Sequence, residues 1–233
     1  MSDTGPMIRM SGKAAFTVFA ALVLASCSTL VSTGPGAAAA ANAGPQYLGS
    51  DTFLIKGTHE AKRYHWARHD GRRVTSMITI QHERILDGVE GQYEFNIPPE
   101  KYLGGSNYRF SAEPVQLWGH EWVHNTWAFD ADQSAAENPG KEAERTALLL
   151  TQHDLVMGGG RIMSRYVRAV GEDQRAEVIV FYTETLATNG HTIADFPDGG
   201  PVSEVYDKLS AAVIERGHAE LALIDPRYAE PVK

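Results

Sequence analysis

Tyr64-His-Trp-Ala-Arg68 and Val74-Thr-Ser-Met-Ile-Thr-Ile80 are two runs rich in aromatic and β-branched residues, separated by Asp70-Gly71. Such side chains suit a pleated, half-buried surface, and Asp-Gly supplies the positive φ that a tight hairpin turn needs. The pattern recurs further on: Ile162 to Val170, a turn at Gly171-Glu-Asp173, then Ala176-Glu-Val-Ile-Val-Phe-Tyr-Thr183. In the last of these, Val178, Val180 and Tyr182 alternate with Ile179, Phe181 and Thr183, which predicts a strand covered on both faces. Gln92 to Ile97 also alternates, ends at Pro98-Pro99, and is predicted as a further strand.

Helical signals are confined to the second half. Asn138-Pro139 reads as an N-cap followed by proline at the first helical position, predicting a helix to about Met157, stopped by Gly158-Gly-Gly160. Pro201 opens a second helix over Val202 to Arg216, with Val205, Leu209, Ala212, Val213 and Arg216 at helical spacing. Gly217 is expected to cap it, and Ala219 to Ile224 to return as a last strand. Hairpins with segregated helices predict an α+β fold, an antiparallel sheet carrying two or three helices. Residues 46–233 are enough for one well-buried domain, with no repeat or second linker inside them.

Ahead of that domain, Lys13 precedes an apolar run from Ala14 to Ala25, then Ser26 and Cys27, the only cysteine in the chain. A basic start, about 12 apolar residues and a small-residue cleavage site describe an export signal, too short to span a bilayer. Asp3 is out of place in such a segment, so Met7 or Met10 is the expected start. Leu24-Ala25-Ser26-Cys27 resembles the lipobox of bacterial lipoproteins. The resemblance implies that residues 1–26 are a signal peptide and that Cys27 is acylated, making the membrane a partner through lipid. Ser28, being other than aspartate, implies sorting to the outer membrane, facing the periplasm, in a Gram-negative host; in a Gram-positive host the anchor is the cell membrane. Residues 27–45 are rich in Ala, Gly, Ser and Pro and read as a disordered tether with a reach of roughly 20–25 Å.

His120-Glu121-Trp122-Val123-His124 fits H-E-x-x-H. On a helix, residues i and i+4 share a face, so two imidazoles reach one Zn²⁺ while the glutamate stands beside the metal-bound water. The five residues resemble the zincin metallopeptidases. That resemblance implies His120 and His124 as ligands, Glu121 as general base and a third ligand elsewhere. Asp130 has the spacing of one zincin group, but Trp127 stands where that group has glycine. Glu144, 20 residues after His124, has the spacing of the thermolysin-like group and is the preferred third ligand. Whether the motif lies on a helix is open. Val115, Trp118, Gly119, Trp122, Val123, Thr126 and Trp127 keep helical spacing, while Trp, Val, Thr, Asn, His and Gly are weak helix formers.

Composition excludes several functions. The formal net charge is −8 at pH 7 and no Lys/Arg run is present, which argues against nucleic acid and against direct adhesion to anionic lipid. With Cys27 acylated there is neither a disulfide nor a thiol nucleophile, and no G-x-S-x-G occurs. Trp66, Trp118, Trp122 and Trp127 read as core, and His59, His65, His69 and His82 as hairpin-surface residues. The leading expectation is therefore a lipid-anchored envelope lipoprotein with a non-catalytic binding or accessory domain, an envelope protein partner and no cofactor. The alternative is a zinc-dependent metallohydrolase built on residues 120–124.

Overall fold

The computed structural model describes residues 44–95, 106–111, 113–201 and 203–230. The predicted signal peptide, Cys27 and nearly all of the tether lie outside them. The fold is α+β: among the described residues, an eight-stranded antiparallel sheet with three helices. The strands are β1 (Gln46–Ile55), β2 (His59–Asp70), β3 (Arg73–Ile85), β4 (Tyr108–Phe110), β5 (Val115–Leu117), β6 (His120–Asp130), β7 (Gly160–Val170) and β8 (Ala176–Thr185). The helices are α1 (Ala131–Glu137), α2 (Glu142–Gln152) and α3 (Glu204–Leu221). Along the sheet the order is β1-β2-β3-β8-β7-β6-β4, with β5 also paired to β6.

Both predicted hairpins form. Asp70 pairs with Arg73 across a turn that begins at Gly71, whose φ is 56°. Val170 pairs with Ala176 around Gly171. The hairpins meet through β3 and β8, in register from Ser76–Glu184 to Arg84–Ala176. On one side of this central pair lie Ile78, Ile80, Val178, Val180 and Tyr182, all at most 3 % exposed. α3 packs there, presenting Tyr206, Leu209, Ser210, Val213, Gly217 and Leu221, a stripe at helical spacing. Ser203 caps α3 by accepting from the Tyr206 N–H, and Arg216 pairs with Glu184 of β8.

Four expectations are corrected. Asn138 does not open a helix: it ends α1, its Nδ2 donating to the Ser134 carbonyl at 2.9 Å. Gly140, at φ 74°, then turns the chain before α2 starts at Glu142. Helix α1 itself is capped by Asp130, which accepts from the Gln133 N–H. Gly217 does not cap α3, which continues through it to Leu221, so Ala219 to Ile224 forms no strand. Residues 92–95 are not a strand, and 96–97 lie outside the described residues. Their loop is held by side chains: Arg175 donates to the carbonyls of Leu86, Val89 and Gly91, and the Tyr93 N–H donates to Gln174.

The segment around the H-E-x-x-H motif is a hairpin. β5 turns into β6 at Trp118-Gly119, both with positive φ (52° and 77°), as a two-residue hairpin turn requires. The helical spacing of its apolar residues is incidental, and the weak helix propensities decide the outcome.

Gly217 marks the closest approach of α3 to the sheet. A Cβ there would stand 2.9 Å from Cδ1 of Tyr182, a ring only 3 % exposed. Gly217→Val is expected to destabilise the domain by about 1–3 kcal/mol, because overpacking outweighs the few tenths gained in helix propensity. Urea unfolding checks this, and an unchanged or raised midpoint would contradict the packing described.

Candidate binding cavity

Strand alternation gives the sheet a second face, opposite α3. Met77, Thr79, Gln81 and Glu83 of β3 point that way, beside Glu177, Ile179, Phe181 and Thr183 of β8. α2 closes one end, where Leu150 packs on Leu48, Ala67, Val74 and Met77. Beyond it the face lines a cavity of about 1490 Å³. Phe53, Met77, Trp127, Phe129, Met163, Ile179 and Phe181 form its apolar walls, with Ile193 and Phe196 at the rim of α1.

Three charged clusters interrupt these walls. In the first, Arg63 donates from Nε and Nη2 to Asp51 at 2.9 and 2.7 Å, and from Nη1 to the Glu142 carbonyl and Thr146 Oγ1. His65 joins Asp51 at 3.2 Å and Thr79 at 3.0 Å. Burial pushes the Asp51 carboxyl up, but hydrogen bonds from His65 and Arg63 and the Arg63 charge together hold it well below the usual range. This cluster is satisfied, and it ties β1, β2 and α2 together.

The second cluster is a carboxyl pair. Glu83 and Glu177 are cross-strand neighbours and share a side-chain hydrogen bond. Burial raises both above the ordinary carboxylate range; the Glu83 charge raises Glu177 further, and the Glu142 charge adds to Glu83. The pair therefore holds a shared proton at neutral pH. Gln81 Nε2 donates to Glu83 at 2.5 Å and Tyr93 OH at 3.5 Å.

The third is Arg165, in the middle of the apolar wall. It lies across from Phe181 on one neighbouring strand and Asn125 on the other. Its Nε donates to Asn125 Oδ1 at 2.9 Å, and its guanidinium carbon stands 5.7 Å from the Trp127 ring centre. Burial pulls its pKa down from the usual guanidinium value. Among the described residues no carboxylate lies within ion-pair distance of it.

The residues singled out by the H-E-x-x-H motif are not brought together. On an extended strand His120 and His124 are separated by roughly 13 Å. His120 sits at the surface, 3.3 Å from Glu230. His124 is buried on the α3 side between Ser111 (2.7 Å) and Ser164 (2.8 Å), beside the Tyr166 ring. Burial, with the nearby His218 and Arg165, pushes the His124 pKa down to about 3. Glu121 is exposed and accepts from Gln116. Glu144 turns back to the Gly140 N–H at the start of α2, and Asp130 is spent capping α1. Among the described residues no three His, Cys, Asp or Glu side chains are grouped to hold a metal.

The cavity polar groups were not anticipated. The available signal was charge inside predicted strands: Arg165 within Ile162 to Val170, and Glu177 in the strand predicted to be covered on both faces. His65, expected at the surface, is fully buried in the Asp51 cluster.

The carboxyl pair makes stability fall as pH rises. Its folded pKa values lie above those of the unfolded chain, so above about pH 4.3 the folded state binds more protons and loses relative stability. Glu177→Gln keeps a donor facing Glu83 and removes the titration. It is expected to be about 1–2 kcal/mol more stable than wild type at pH 8 and nearly equal to it at pH 5. Denaturant unfolding at both pH values tests this, and no gain at pH 8 would refute a shared proton.

No protein-family model, curated protein or solved structure matches this chain.

Proposed function

We propose that this protein is a lipid-anchored envelope lipoprotein whose domain binds a small, largely apolar molecule between sheet and helices. The observation that carries the reading is the cavity of about 1490 Å³, walled by aromatic and aliphatic side chains with a few polar groups among them. That is the make-up of small-molecule sites, which are mostly apolar with a few placed polar contacts and commonly span about 300–1,000 Å³. Wall residues such as Trp127, Met163 and Phe181 keep part of their surface open, and a ligand filling the cavity would bury it at about 25 cal/mol per Å².

Acylated Cys27 and the Ala-, Gly-, Ser- and Pro-rich segment after it, read as a tether, would hold the domain within roughly 20–25 Å of a membrane surface. In a Gram-negative host this is the periplasmic face of the outer membrane, where apolar molecules leave or enter a bilayer. The role is that of a non-catalytic binding or accessory domain, handing its cargo to or from the membrane.

Cys27→Ser is expected to move the protein from the membrane fraction to the soluble one. The soluble protein should bind the neutral fluorophore 1-N-phenylnaphthylamine saturably at one site, with micromolar affinity. Met163→Trp, which adds a ring to the cavity wall, should weaken that binding about tenfold or more while circular dichroism is unchanged. Absence of saturable binding, or binding indifferent to Met163→Trp, would refute the cavity as the site.

A further inference from the structure

We propose that Arg165 is the head-group contact of the cavity and that the cargo is a single-chain amphiphile with an anionic head, a carboxylate or a phosphate monoester. This rests on the binding role given above and goes further by naming the class of ligand.

The choice follows from which polar groups are already satisfied. Arg63 spends its guanidinium on Asp51, Glu142 and Thr146. The Glu83–Glu177 pair carries a shared proton and receives donors from Gln81 and Tyr93, so it has little to offer a cationic ligand. Arg165 differs. Its one hydrogen bond to a described residue leaves from Nε, so the two terminal nitrogens have no acceptor among the described residues. Guanidinium does not lose its proton under ordinary conditions, so these are standing donors with a full charge. They lie on the cavity side, among Phe181, Met163, Val167 and Trp127. The charges of Glu83 and Glu177 favour the cation from beyond ion-pair distance, and low-dielectric surroundings strengthen its attraction to an anion that enters into contact.

The geometry also orients the ligand. Trp127 covers one side of the guanidinium and the Asn125 amide fixes Nε, leaving the two terminal nitrogens as the fork that matches a carboxylate or phosphate. The carboxyl pair, with its remaining negative charge four residues from Phe181 along the same face of β8, turns an anionic head away from that end. An alkyl chain then lies along Phe181, Met163 and Phe129.

The test uses the soluble Cys27→Ser protein loaded with 1-N-phenylnaphthylamine and measures displacement by dodecanoate, dodecyl phosphate and dodecan-1-ol. At least one anion should displace the probe roughly 10-fold to 100-fold more effectively than the alcohol, the range expected for hydrogen bonds to a charged group. Whichever anion is favoured identifies the head group. Arg165→Gln should erase the preference, read as the ratio of anion to alcohol displacement within that variant, and Arg165→Lys should retain part of it as a point charge. Equal displacement by acid and alcohol in the wild type overturns the proposal while the binding role stands. A wild type that binds neither probe nor any of the chains overturns the binding role itself. Should Arg165→Gln fail to fold, the wild-type ratio and Arg165→Lys still decide.

Discussion

The alternation of β3 and β8 is the constraint on which everything else depends. Each strand must send successive side chains to opposite faces, and here the two rows have different destinies. Ile78, Ile80, Val178, Val180 and Tyr182 are sealed beneath α3. Met77, Thr79, Ile179, Phe181 and Thr183 face the cavity. A one-residue slip between these strands would exchange the rows, placing Glu83 and Glu177 under the helix and exposing the core. Register is therefore set by burial on one side, which leaves the other side able to carry chemistry.

That second face tolerates charge because each charged cluster is handled differently. Asp51 and Arg63 neutralise one another, His65 hydrogen-bonds Asp51, and Arg63 fastens α2 to the sheet edge. Glu83 and Glu177 avoid a double negative charge by sharing a proton. Arg165 has no carboxylate within ion-pair distance among the described residues; Asn125, the Trp127 ring and the more distant charge of the carboxyl pair offset part of its cost. Of the three, only the last has donors without an acceptor among the described residues, which is what makes the cavity a candidate site.

Much of the fold was legible because two-residue periodicity and turn chemistry are local. Asp70-Gly71 and Gly171 announced both hairpins, and the double alternation around Val180 marked the central strand. The helix boundaries were misread where two signals coincided. Asn138 and Pro139 suit a helix start, yet they fill the turn between α1 and α2, and Gly217 suits a cap, yet it is there for Tyr182. The H-E-x-x-H motif was undecidable because helical spacing and strand propensity disagreed over the same residues. The site was least legible of all. Arg165 and Glu177 become neighbours of one cavity only through the pairing β3-β8-β7, a long-range fact that no local pattern records. Asp51 likewise meets Arg63 only through the β1–β2 register.

Whether the cavity holds an amphiphile is answered most directly by native mass spectrometry of the Cys27→Ser protein after incubation with a lipid extract of its host envelope. The account expects one adduct of a few hundred daltons per chain, released by organic solvent and retained poorly by Met163→Trp. A spectrum showing the bare chain alone under the same gentle conditions would contradict it.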